Sequence, residues 1–241
     1  MRYLVRLAAA VVVATVLMTQ SGRAESSLAL SDALIRYAKL DYTQAHRLLW
    51  PLADEGNPVA QEILGFMYAL GEGVSRDDAA AFHWFTLAAE AGRAEAQFEL
   101  GHMYRDGLGV TADGKTAMLW LQRAAEQGKT DAYNAVGELY LGSSGIPANP
   151  TAALEWFFRA AERGSAQAMY NIGLRYAAGQ GVERDEIEAF KWFVLAYGEA
   201  IGTLRDNAAR ARVGLAERLM PMQVQMGLVR ARDWLQAHRT D

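Results

Sequence analysis

Four histidines, His46, His83, His102 and His238, are the side chains of this chain best suited to proton transfer or metal binding near neutral pH. They are scattered, with no H-x3-H or H-E-x2-H spacing to set two ligands on one helix face. No serine opens an S-x-x-K and none sits in G-x-S-x-G, so no acyl-transfer nucleophile is marked. Cysteine is absent, which removes disulfides, thiolate metal sites and thiol nucleophiles together. The glycine pairs Gly71-x-Gly73-Val74, Gly107-x-Gly109-Val110 and Gly179-x-Gly181-Val182 resemble phosphate loops in spacing alone. Each follows a helical pattern instead of a strand and lacks the Lys-Ser/Thr of a P-loop, so each reads as a helix terminator. Met67, Met103, Met118 and Met169 recur at helical spacing beside core positions and read as packing, not as a copper site. The expectation is no catalytic residue, no metal and no cofactor.

The elements that hold these residues repeat. Gly65, Gly101, Gly137 and Gly173 are 36 residues apart, and so are Tyr68, Tyr104, Tyr140 and Tyr176 and Trp84, Trp120, Trp156 and Trp192. A fixed period of this size marks a solenoid, in which each unit is too small to bury its apolar face alone and must stack on neighbours. Four regular units are expected at 59–94, 95–130, 131–166 and 167–202. The first helix of each carries Ala60/Leu64, Ala96/Leu100, Ala132/Val136 or Ala168/Ile172. The glycine that follows costs about 1 kcal/mol against alanine inside a helix, and a close neighbouring backbone would explain it. Asp77, Asp113, Asn149 and Asp185 are placed as N-caps of the second helices. Those helices carry Ala81/Trp84/Ala88 and its equivalents, and end at Gly92, Gly128 and Gly164. The fourth has Ala200 there and is expected to run on to Gly202. In the third unit Ser143, Pro147 and Pro150 predict a differently shaped loop of unchanged length.

The ends are less regular. Residues 25–58 read as a degenerate opening unit, with Leu34, Tyr37 and Ala38 on one stripe, then Ala45, Leu48, Leu49 and Leu52 on a second helix that Gly56 and Pro58 stop. From Thr203 the period fades. Leu204–Met220 and Pro221–His238 predict two helices with stripes Leu215/Leu219 and Val224/Leu228/Ala231/Leu235, a C-terminal cap over 203–241 with charged residues outward.

Residues 1–24 read as a cleaved signal peptide: Arg2 and Arg6, an apolar run from Leu7 to Met18 too short to span a membrane, then small residues up to a cut after Ala24. With no cysteine near the cut, a lipoprotein is excluded. The mature chain is expected in a bacterial periplasm or secreted, without membrane insertion. The net charge is −4; removing Arg2, Arg6 and Arg23 leaves 21 basic against 28 acidic side chains, or −7. That sign argues against nucleic acid as a partner, because such binding needs Lys and Arg against phosphates.

In the second regular unit, Ala96, Leu100-Gly101, Tyr104, Gly107, Gly109-Val110, Asp113, Trp120, Ala124-Ala125-Glu126 and Gly128 resemble the Sel-1-like repeat. Lys115 stands one position off the family's pattern, and the resemblance covers about residues 40–202. It implies an all-α, right-handed superhelical α/α solenoid related to tetratricopeptide repeats, and an adaptor that holds other proteins together at the cell envelope. If the first helices line the concave face, the varying columns there are the partner-binding candidates: Glu62, Phe98, Asn134 and Tyr170, then Phe66, His102, Glu138 and Leu174, with Arg105 one turn on. Phe66, Phe98, Tyr170 and Leu174 are expected to form an apolar groove for a peptide or helix of a protein partner. Two alternatives stay open: a periplasmic regulator of an envelope sensor kinase or of secretion or polysaccharide assembly, and a hydrolase of cell-wall or β-lactam substrates.

Overall fold

Residues 27–238 are described in the structure, a computed structural model. The leader expected at 1–24 lies outside them. The described residues are all-α, with twelve helices and no strand. They are α1 (27–38), α2 (Tyr42–Asp54), α3 (Pro58–Leu70), α4 (Asp78–Glu90), α5 (Ala94–Asp106), α6 (Gly114–Glu126), α7 (Thr130–Leu139), α8 (Pro150–Ala161), α9 (Ala166–Ala178), α10 (Glu186–Glu199), α11 (Gly202–Ala216) and α12 (Pro221–His238). No described helix is long and apolar enough to cross a membrane. The chain forms two compact units: residues up to Ala96 together with Leu108–Val110, and Gln97–Gly107 together with the chain from Thr111 on.

Local chemistry sets the helix boundaries where the sequence placed them. The carboxylates of Asp77, Asp113 and Asp185 each accept two backbone N–H groups of the helix they start, and Asn149 accepts one. Each such cap is worth about 1 kcal/mol. The same four residues donate their own N–H to the carbonyls of Tyr68, Tyr104, Tyr140 and Tyr176, which closes every loop to one length. Gly71, Gly107 and Gly179 take positive φ at the end of the first helix, and Gly92, Gly128 and Gly164 after the second. The third unit has the altered loop expected: α7 stops at Leu139, and Gly142, Ser144 and Gly145 all have positive φ.

In the first unit, Ala33, Ala45, Leu49, Leu52, Ala60, Leu64 and Met67 form the core with Trp84. The stripe expected on α1 is offset: Ala33 is buried and Tyr37 half-buried, while Leu34 and Ala38 are exposed. The helix begins by residue 27, so Ala29 and Leu30 join Ala33 and Tyr37 on the packed face.

In the second unit, Phe157, Ala168, Ile172, Trp192 and Ala196 sit in one core cluster and Phe190, Phe193 and Leu215 in another. The glycines after the core Leu, Val or Ile face side chains, where a neighbouring backbone was expected. An added Cβ would lie 2.6 Å from the Phe85 ring at Gly65, 2.6 Å from Leu121 at Gly101, 2.6 Å from Phe157 at Gly137 and 2.7 Å from Phe193 at Gly173. The second helix drives a bulky side chain into each notch. The tryptophans beside this column hold equivalent helix positions, but Trp84 and Trp192 are buried while Trp120 and Trp156 are only partly buried.

The end of the chain departs from expectation in three ways. Helix α10 ends at Glu199 with Ala200 extended, and Gly202 opens α11. The period also persists: α11 begins 36 residues after α9, and α12 begins 35 after α10. On α12 the packed residues are Val224, Gly227, Ala231 and Trp234, because Gly227 admits the Phe190 ring and Trp234 stands 5.4 Å from Trp192. Leu228 and Leu235 are left exposed, and the outward face carries Met222, Met226 and Val229, not charges alone.

Candidate functional site

In the first unit, α3 places Glu62 and Phe66. Glu62 is buried, against the exposure expected of its column, because it accepts both Arg93 Nε (3.0 Å) and Nη2 (2.6 Å). This fork ties α3 to the turn after α4, and the hydrogen bond raises the Arg93 pKa. Phe66 is half-buried with its edge on Phe85, ring centroids 5.0 Å apart. Both residues bind their own neighbours.

In the second unit, α5, α7 and α9 bring the remaining candidates together. Asn134, buried on α7, donates from Nδ2 to Glu138 Oε1 (2.8 Å) and accepts on Oδ1 from Asn171 Nδ2 (3.0 Å) of α9. Glu138 Oε2 lies 3.9 Å from Arg105 Nη1 of α5. Arg105 also forks onto Asp106 with two bonds of 2.7 Å, which holds the Asp106 carboxyl below the usual range. A polar row thus crosses three successive first helices: Arg105, Glu138, Asn134, Asn171. The apolar candidates beside it are each half-buried against a neighbour. Phe98 is half-buried, with His102 edge-on at 4.4 Å and Lys129 Nζ 5.0 Å from its centroid. Tyr170 packs on Phe193 at 5.5 Å, and Leu174 joins the cluster of Phe190, Phe193 and Leu215.

Asn171 and Arg175 were not anticipated. The column Met67, Met103, Leu139 is buried at 5 % exposure or less, and Arg175 stands at the same step in the last repeat. Its Nε is buried without a hydrogen bond, and burial lowers its pKa. The break from Met, Met and Leu to Arg in one column was the available signal. Asn171 had none, since its bond spans 37 residues.

His102 is the one histidine here with a large shift: burial first, then Arg105, pushes it down to about 4, while Asp106 and Asp131 oppose this. Its Nδ1 is buried and unpaired. The unfolded chain takes this proton near pH 6.5 and the fold resists it to about 4. The neutral ring's contribution is therefore complete above pH 6.5 and is lost as pH falls towards 4. The loss is at most about 3 kcal/mol, reduced by partial solvent screening. His102→Leu, the residue at the equivalent step in the last repeat, should flatten the fall of the urea midpoint across that window. An unchanged slope would show that other groups set it.

No group of three or more His, Asp or Glu among the described residues could hold a metal ion. A cleft of about 710 Å³ opens between the α9–α10 loop and the α11–α12 junction. Arg218 pairs across it with Glu186, which also holds Arg184 on its own side, and Asp185 pairs with Arg230 beside it, so these ion pairs brace the fold.

Residues 58–92, 94–129, 130–165 and 166–199 match the Sel1 repeat. A Sel1 repeat protein from Oxalobacter formigenes is 31 % identical, with a TM-score of 0.68 over 76 % of this chain and 74 % of that one. A putative Sel1 repeat protein from Klebsiella pneumoniae is similar in fold at 21 % identity, with a TM-score of 0.52 over 77 % of this chain and 92 % of that one. No curated protein is significantly similar in sequence.

Proposed function

The chain belongs to the Sel1 repeat family, and on that footing we propose that it is an adaptor of the bacterial periplasm that binds a partner protein along α5, α7 and α9. Sel1 repeats mediate protein–protein interaction, and the family is typically a non-catalytic scaffold. The location within the molecule rests on one observation. The polar row Arg105–Glu138–Asn134–Asn171 is built from residues that differ between repeats, while the columns Ala60/Ala96/Ala132/Ala168 and Gly65/Gly101/Gly137/Gly173 on the same helices stay fixed. Packing demands none of these identities, and Glu138 keeps 40 % of its side chain open beside Arg105. A polar, charge-bearing row of this kind suits a peptide or helix read through hydrogen bonds, with Phe98 and Tyr170 as its apolar flanks.

A photo-crosslinking side chain at Glu138, compared with one at exposed Glu155 on α8, tests the reading in intact cells. A discrete adduct from position 138 and none from 155 is expected. The reverse pattern would move the binding surface to the second helices. Export rests on the leader sequence and has a separate check: the mass of the mature chain, expected to begin at Glu25.

A further inference from the structure

Among the described residues, large apolar side chains left open to solvent gather in the terminal helix pairs. Leu28, Leu34, Ile35, Leu40 and Trp50 lie in α1, α2 and their turn, and Met222, Met226, Leu228, Val229 and Leu235 lie on α12. Between these regions such residues are sparse, as with Leu70 at the end of α3, Leu119 on α6, and Leu108 and Leu141 in loops. The terminal units of a stacked array normally turn a polar face outward, because no neighbour covers them. Here both carry an apolar one. On α12 the stripe Met222, Met226, Val229 follows helical spacing and lies opposite the packed stripe Val224, Gly227, Ala231, Trp234. With Gln225 and Arg230 it lines a shallow hollow of about 330 Å³. On α1, Leu28 (73 % exposed) and Ile35 (52 %) lie two turns apart, opposite Ala33 and Tyr37.

The array itself shows what covers such a face. The second helices α2, α6, α8 and α10 are each packed by the first helix of the following pair, α3, α7, α9 and α11. Among the described residues, α12 is a second helix that no further pair follows and α1 is a first helix that none precedes. Charge does not oppose this pairing: residues 202–238 carry six arginines against three carboxylates, and in residues 27–54 Asp32, Asp41 and Asp54 are balanced by Arg36, Lys39 and Arg47.

We propose that the occupant of the α12 face is a second copy of this chain, whose α1 lays Leu28 and Ile35 against Met222, Met226 and Val229. The contact repeats the second-helix-to-first-helix packing of the array and uses two different surfaces. It is therefore heterologous and does not close after two copies. It involves neither the polar row nor its partner and stands or falls independently of them.

Sedimentation velocity of the mature chain up to roughly 200 µM reads this directly. A weight-average mass that climbs past two copies with concentration is expected. Ile35→Glu and Met226→Glu change open positions and should each keep the helical circular-dichroism signal while weakening association by roughly tenfold or more. Leu28→Glu and Met222→Glu replace either one that loses that signal. An equimolar mixture of the two variants retains one intact face of each kind and should stop at two copies. Three results would overturn the proposal: a wild type that stays single throughout, a mixture that does not associate, or loss of association by Met226→Glu but not Ile35→Glu, which would mean α12 pairing with itself. Sedimentation of the wild type with phosphatidylglycerol vesicles in place of itself would likewise assign the face to a membrane.

Discussion

Gly181→Ala lowers the stability of the fold by about 3 kcal/mol or more, while Gly164→Ala costs about 1 kcal/mol. Both glycines have positive φ, +78° and +84°, so both substitutions carry the strain of an L side chain in the left-handed region. What separates them is space. A Cβ at Gly164 meets nothing within 4 Å. One at Gly181 would stand 2.4 Å from the Pro150 carbonyl oxygen and 2.8 Å from the Thr151 nitrogen, both backbone atoms at the start of α8. Backbone there cannot withdraw without pulling the Asn149 cap from Ala152 N–H. The same approach recurs at Gly73 against Tyr42 and Gly109 against Asp78, so the second loop glycine is where one helix pair sits on the last. The third repeat makes the contact differently: Gly145 has open space, and Gly114 instead leaves room for the Ser144 carbonyl. Thermal melts followed at 222 nm should give a midpoint about 6–12 °C lower for Gly181→Ala and only about 2–4 °C lower for Gly164→Ala. Equal shifts would show that strain alone, not contact, keeps glycine at position 181.

The parts of this fold that could be read from sequence are those fixed within about ten residues. Asp77, Asp113, Asn149 and Asp185 declare themselves because a cap reaches N–H groups two or three residues on. The loop glycines do so because positive φ demands them. What escaped depends on partners a repeat away. Glu62 reads as a surface carboxylate until Arg93, 31 residues on, closes over it. Phe66 and Tyr170 read as exposed anchors until Phe85 and Phe193 take their rings. On α12 the helical period fits two stripes almost equally well. The choice fell to Gly227 and Trp234, because Phe190 needs a notch and Trp192 a ring to pack against. Of the candidate site, the sequence indicated that α5, α7 and α9 vary where packing does not require it. It did not indicate that Asn171 links Asn134 to α9, because that bond joins two residues with no periodic signature.

The tryptophan column never changes its identity, yet the neighbouring column holds more of the stability. Phe157→Ala should cost about 3–5 kcal/mol, the range for emptying a buried aromatic site, whereas Trp156→Ala should cost roughly half as much or less. Phe157 is 0 % exposed and its ring fills the notch over Gly137. Trp156 is only partly buried at the edge of the core, with Tyr133 at 5.8 Å and the Arg159 guanidinium 4.8 Å over its ring. The column went unread because it runs Phe85, Leu121, Phe157, Phe193, and because its requirement is volume above a glycine, not one particular ring. Phe157→Leu should therefore be mild, about 1 kcal/mol, since Leu121 occupies the same place in the preceding repeat. A double-mutant cycle separates notch from cavity. Gly137→Ala alone drives a methyl to within 2.6 Å of the Phe157 ring and destabilises. Combined with Phe157→Ala the ring is gone and the methyl enters vacated space, so the second substitution costs less than in the wild type. Urea midpoints of the four proteins measure that coupling. Additive costs would mean that the ring does not press on Gly137, and that the glycine is kept for another reason.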